Sequence, residues 1–99
     1  MADDLLDGQG TIIIDGERIG ARYVITVRRV GVRRLRADGQ LSVAREHSAA
    51  LARAFGQGRA SLELSDGHVL PIVPSDVGMI GGLASMAFVV AGPVPGYGP

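Results

Sequence analysis

The chain has no cysteine, no tryptophan and no lysine, and each absence removes something. Without cysteine there are no disulfides, no thiol nucleophile and no cysteine-ligated zinc. The aromatics are only Tyr23, Phe55, Phe88 and Tyr97, so the core has to be built from Val, Ile, Leu and Ala. No apolar run reaches the roughly 18 residues that a membrane-spanning helix needs. The opening Met1-Ala2-Asp3-Asp4 is acidic, the opposite of a secretory leader's basic start, so a cytoplasmic location without membrane contact is expected. The length allows one domain with a small core.

Charge is present in equal amounts of each sign, but it is not evenly spread. The 99 residues carry 10 Arg and 10 Asp or Glu, for a formal net charge of zero. Arg18, Arg22, Arg28, Arg29, Arg33, Arg34 and Arg36 follow one another with no acid between them. Guanidinium groups hold carboxylates and phosphates bidentately, so this window is the leading candidate for binding an anion or a partner. Asparagine is missing along with lysine, which reads as coding bias in a GC-rich genome and lowers the weight the choice of Arg carries.

Strand patterning dominates. Thr11 to Ile14 leads into Asp15-Gly16, a dipeptide suited to tight hairpins because both residues tolerate positive φ. From Glu17 onward Ile19, Ala21, Tyr23, Ile25 and Val27 alternate with more polar positions, predicting a strand with one apolar face. Gly31 marks a bend before a run from Val32 to Arg36, and Asp38-Gly39 reads as a second hairpin turn before Leu41 and Val43. Arg45 to Phe55 is alanine-rich and predicts a short helix capped by Ser48 and ended by Gly56, with Leu51 and Phe55 on one face. Ala60 to Leu64 alternates again, and Asp66-Gly67 turns the chain into Val69 to Val73. There Pro71 predicts an edge or irregular strand. Pro74 to Gly82 reads as a loop, and Leu83 to Val90 as an apolar strand.

Gly8-Gln9-Gly10 and Gly56-Gln57-Gly58 each precede a strand, an Asp-Gly turn and a second strand. If this repeat is structural, three strands, a helix and three more strands form a barrel of approximate two-fold symmetry, which removes exposed edges. The fold expected is mainly β: about six antiparallel strands with one short α-helix, as a small barrel or sandwich. The predicted organisation is an acidic tail over 1–8, a single β domain over 9–91 and a Gly/Pro-rich tail over 92–99.

Alternation places Arg18, Arg22 and Arg28 on one strand face, with Arg33, Arg34 and Arg36 on the next strand. Such a strip serves either an external anion or cross-strand ion pairs with acids such as Asp15, Glu17 or Glu63. Arg18 and Arg22, and again Arg29 and Arg33, stand four apart, which is similar to the arginine motif of cyclic-dinucleotide-binding PilZ barrels. That motif also requires a downstream Asp or Asn, a Ser and a Gly in fixed arrangement. Neither Asp38 to Ser42 nor Ser65-Asp66-Gly67 supplies it, and the family is not assigned. Nucleic acid is a possible but not a favoured ligand, because Tyr23 is the only ring available for base stacking in the window.

His47 and His68 are isolated, no Gly-x-Ser-x-Gly occurs, and the carboxylates are scattered. No enzyme, metal or cofactor is therefore expected. The apolar strand offers Leu83, Met86, Phe88 and Val90 as a second candidate surface, because so small a domain has little room to bury both faces of it. The expected function is a non-enzymatic binding or assembly module that forms homo-oligomers or docks on a protein through charge-complementary and apolar surfaces. The alternative is an anion-binding module that holds nucleic acid or a phosphorylated ligand on the Arg patch.

Overall fold

The computed structural model describes residues 4–29 and 35–92. The elements are β1 (Asp4–Ile14), β2 (Glu17–Arg29), β3 (Leu35–Val43), a 3-10 segment (Arg45–His47), α1 (Ser48–Gln57), β4 (Ala60–Glu63), β5 (Val69–Ile80) and β6 (Leu83–Val90). All paired strands are antiparallel, and they close into a barrel in the order β1-β2-β3-β6-β5-β4. The described residues thus form a mainly β fold of six strands with one helix, and of the two expected forms it is the barrel. Three strands, a helix and three strands follow in the order the repeat predicts. The two Gly-Gln-Gly copies are not equivalent, however: one lies within β1 and the other ends the helix.

β2 explains why the barrel has an inside. Ile19, Ala21, Tyr23, Ile25 and Val27 are buried, while Arg18, Gly20, Arg22, Val24 and Arg28 are exposed. This is the period-two pattern read from the sequence. The same alternation on the other strands sends Ile12, Leu41, Leu62, Ile72 and Phe88 into one shared core. The β1–β2 turn has positive φ at both centres, Asp15 at 52° and Gly16 at 83°, as a tight hairpin with the natural strand twist requires.

α1 closes the barrel end that carries this turn. Ala50, Leu51 and Ala54 join the core, and Arg53 Nη2 donates to Glu17 Oε1 at 2.7 Å while its Nε lies 3.4 Å from Asp15 Oδ2. Gln57 Nε2 donates to the same Asp15 oxygen at 2.7 Å.

Several local expectations are corrected. The helix runs past Gly56 to Gln57, and Gly58 is the left-handed cap, with its N–H on the Ala54 and Phe55 carbonyls. His47, not Ser48, precedes its first residue, and it makes no side-chain cap. Phe55 does not share the buried face of Leu51; it is 45% exposed.

Residues 4–8, expected to form part of a tail, belong to β1, where Asp4 pairs with Val27 and Gly8 with Tyr23. Asp38-Gly39 is not a turn but the middle of β3, opposite Thr26 and Ile25. Gly39 is needed there because the backbones approach closely. A Cβ would collide with the Val24 carbonyl oxygen and stand 3.1 Å from the Phe88 ring that covers the site.

The stretch from Pro74 to Gly82 is not a loop either. β5 continues to Ile80, with a bulge between Pro74 and Asp76, and the chain turns tightly at Gly81 and Gly82. Pro71 is tolerated in a closed barrel because its backbone polar groups face the point where β6 ends. Its carbonyl accepts the Ala91 N–H at 2.8 Å, so the missing donor costs the ladder nothing in its interior. Gly31 and the proline-rich segment from Pro93 lie outside the described residues.

At the end opposite α1, Tyr23 is 3% exposed and its hydroxyl accepts the Ser65 N–H at 3.1 Å, with Ser65 Oγ at 3.2 Å. This ties β2 to the β4–β5 turn. Tyr23→Phe should lower stability by about 1 kcal/mol, read as a shift in the urea midpoint with an unchanged slope.

Candidate interaction surface

The outer face of the barrel carries the described arginines of the window. Arg18 forms an ion pair with Glu63, reaching across the end of β1. Arg28 and Arg36 stand directly opposite each other in the β2–β3 ladder. Like charges in that position repel. Asp38 lies between them, 3.8 Å from Arg28 Nη2 and 3.7 Å from Arg36 Nε. The arginines are exposed and Glu63 and Asp38 only half-buried, so each pair is well solvated and contributes little to stability.

Of the acids named as cross-strand partners, Glu63 serves the window, whereas Asp15 and Glu17 serve Arg53 on the helix. Arg22 is exposed and makes no ion pair or hydrogen bond within the described residues. Arg29 is exposed at the end of β2, and Arg33 and Arg34 lie outside the described residues. The structure therefore does not gather the window into one open cationic patch among the described residues.

The apolar candidates divide. Met86 and Phe88 are 0% and 1% exposed and fill the barrel, whereas Leu83 is 46% exposed and Val90 is half-buried at the strand's other end. The inward positions of β6 are the even ones, which an unbroken apolar run could not reveal. Exposed apolar area lies instead around the β5–β6 turn, where Met79 and Ile80 are 52% and 59% exposed beside Leu83. A second group sits on β1 and β2: Leu5 at 66% and Val24 at 44%.

Two concavities lie on this outer face. One of about 430 Å³ runs over Gly20, Arg22 and Ser42 and is rimmed by Gln9, Ala44 and Leu83. The other, about 580 Å³, spreads over Val24, Asp38, Gln40 and Ala87. Asp7, which sequence reasoning assigns to the acidic tail and leaves out of the named site residues, belongs to this face. It lies in β1 opposite Val24 and is exposed. The signal that finds it is the Leu5, Asp7, Gln9, Thr11 alternation running straight into Ile13.

Catalytic groups do not converge among the described residues. His68 Nδ1 is 2.9 Å from Asp66 Oδ2 at the exposed β4–β5 turn, and His47 stands in the 3-10 segment. The His68 backbone N–H bonded to Asp66, reinforced by the His68 ring, holds that carboxyl below the usual aspartate value. No group of three or more His, Cys, Asp or Glu among the described residues is placed to hold a metal ion. No helix among them is long and apolar enough to cross a membrane. No protein-family model, curated protein or solved structure matches the chain.

Proposed function

We propose that this chain is an assembly module: a small closed barrel that works by contact, joining a second copy or another protein through its outer face. The observation that carries the reading is the apolar area left outside a filled core, with Leu5, Met79, Ile80 and Leu83 all between 46% and 66% exposed. Large apolar side chains grouped on the outside of a monomer mark contact surfaces. Unpaired charges of both signs beside them supply selectivity for the partner.

Light scattering over rising concentration, at low and high salt, tests this. The expected mass exceeds the 10.3 kDa of one chain and falls when Ile80 and Leu83 are both changed to Ser. A monomer at the highest concentration in both salts, together with no stable protein complex, would sink the proposal. An anion on the arginines is less favoured, because it has to displace Glu63 from Arg18 and Asp38 from Arg28 and Arg36.

A further inference from the structure

We infer that the outer face of β1 and β2 is a self-complementary dimer face, on which Asp7 of each copy pairs with Arg22 of the other and Leu5 enters the groove rimmed by Leu83. This rests on the assembly reading and names its surface and its partner, a second copy of this chain.

The geometry comes from the strand register. Asp7 is opposite Val24, and Gln9 is opposite Arg22, so Asp7 and Arg22 are diagonal neighbours on adjacent strands. Their Cα atoms are about 8 Å apart. Both side chains are on the outer face and exposed, and neither makes an ion pair or hydrogen bond within the described residues. They present opposite charges side by side, which is what a two-fold contact needs. When two such faces meet about an axis lying in the face along the Val24–Gln9 diagonal, each acid falls on the other copy's arginine.

The same operation can be followed along the ladder. Val24 and Gln9, on the axis, fall close to their own copies, and Val24 is apolar and 44% exposed. Leu5 lies one pleat beyond Asp7 on the same face of β1, opposite Thr26. Exchange about this axis carries it diagonally across the ladder towards Ala44 and Leu83 of the other copy. That is where the 430 Å³ groove lies, open above Gly20, whose Cβ position has no atom within 4 Å. Leu5 is the most exposed large apolar side chain among the described residues, and Leu83 at the groove's rim is 46% exposed. An acid-leucine pair on one strand thus matches an arginine and a leucine on the strands beyond it. β1 is also open at this end, because β4 pairs with it only from Thr11 to Ile13. No wall of the barrel therefore stands between Leu5 and an approaching copy.

The test uses charge reversal in two separate chains. Asp7→Arg and Arg22→Glu should each raise the dimer dissociation constant roughly thirtyfold or more, as loss of a central contact does, with circular dichroism showing the fold retained. Mixed in equal amounts, the two variants should recover a 1:1 heterodimer. At one contact the arginine introduced at position 7 faces the glutamate introduced at position 22, and at the other the native Asp7 and Arg22 face each other. Leu5→Arg should dissociate the dimer and should not be rescued by mixing with either. Sedimentation velocity reads all of these.

A mixture that stays monomeric, or single variants that keep the wild-type mass, overturns the inference. So does a change in thermal midpoint without any change in mass, which would place the Asp7–Arg22 interaction within one chain. A wild-type protein that is itself monomeric overturns the inference too, and removes the assembly reading as well only when no stable protein complex forms. A wild-type oligomer untouched by all three variants removes only this face.

Discussion

Gly39→Ala should cost on the order of 3 kcal/mol or more, and Gly20→Ala should raise stability by about half a kcal/mol, although both add one methyl to a barrel strand. The difference lies in what each methyl meets. At Gly39 the new Cβ collides with the Val24 carbonyl oxygen, 3.0 Å from the Ile25 Cα and 3.1 Å from the Phe88 ring. Two of those three atoms are backbone in the neighbouring strand and cannot rotate away, so β2 and β3 must separate. That separation strains the ladder from Arg22 to Arg29 and pushes Phe88, 1% exposed, out of its place in the core. At Gly20 nothing lies within 4 Å, and the methyl only reduces the freedom of the unfolded chain. For a domain of this size the first change should lower the melting temperature by roughly 15 °C. Calorimetry of both variants checks the pair; equal shifts would contradict the close approach at Gly39.

Leu51→Ala should cost about 3 kcal/mol, whereas Phe55→Ala should cost well under 1. α1 is held on the barrel by three buried residues, Ala50, Leu51 and Ala54, and only Leu51 is large. It is 1% exposed, so its removal leaves a cavity between helix and barrel that the flanking alanines cannot fill. Phe55, four residues on, is 45% exposed and gives up little. Beyond the stability loss, the amide hydrogens of α1 should exchange faster in Leu51→Ala than those of β2, because the helix detaches before the sheet opens. Uniform acceleration across both elements would argue against the helix as a separately held plug.

The elements legible from residues alone are those with a single physical signal. β2 alternates without interruption, and Asp15-Gly16 is a hairpin turn for the reason its residues suggest. Asp38-Gly39 looks the same on paper but serves another purpose: its glycine answers to a neighbouring strand, which local chemistry does not record. β5 reads as ending before Pro74 because proline removes a ladder donor. The bulge there and the end of β6 beside Pro71 place the missing donors where the ladder does not need them. On the surface, the Arg18–Glu63 pair is within reach of alternation arguments. Asp7 is harder to place, because an acidic start resembles a solvated tail and only the Leu5, Asp7, Gln9, Thr11 alternation argues for a strand there. The direction of Met86 and Phe88 is equally hidden, since a strand whose residues are nearly all apolar has no face to read.

The barrel closes through two seams of unequal length. β3 and β6 are paired from Asp38 to Val43, while β1 and β4 share only Thr11 to Ile13. Every other pairing joins strands consecutive in sequence. The short seam brings together residues about fifty positions apart, so its closure waits on the entropy of a long loop. A break there would turn the cylinder into a curved open sheet with β1 at its margin.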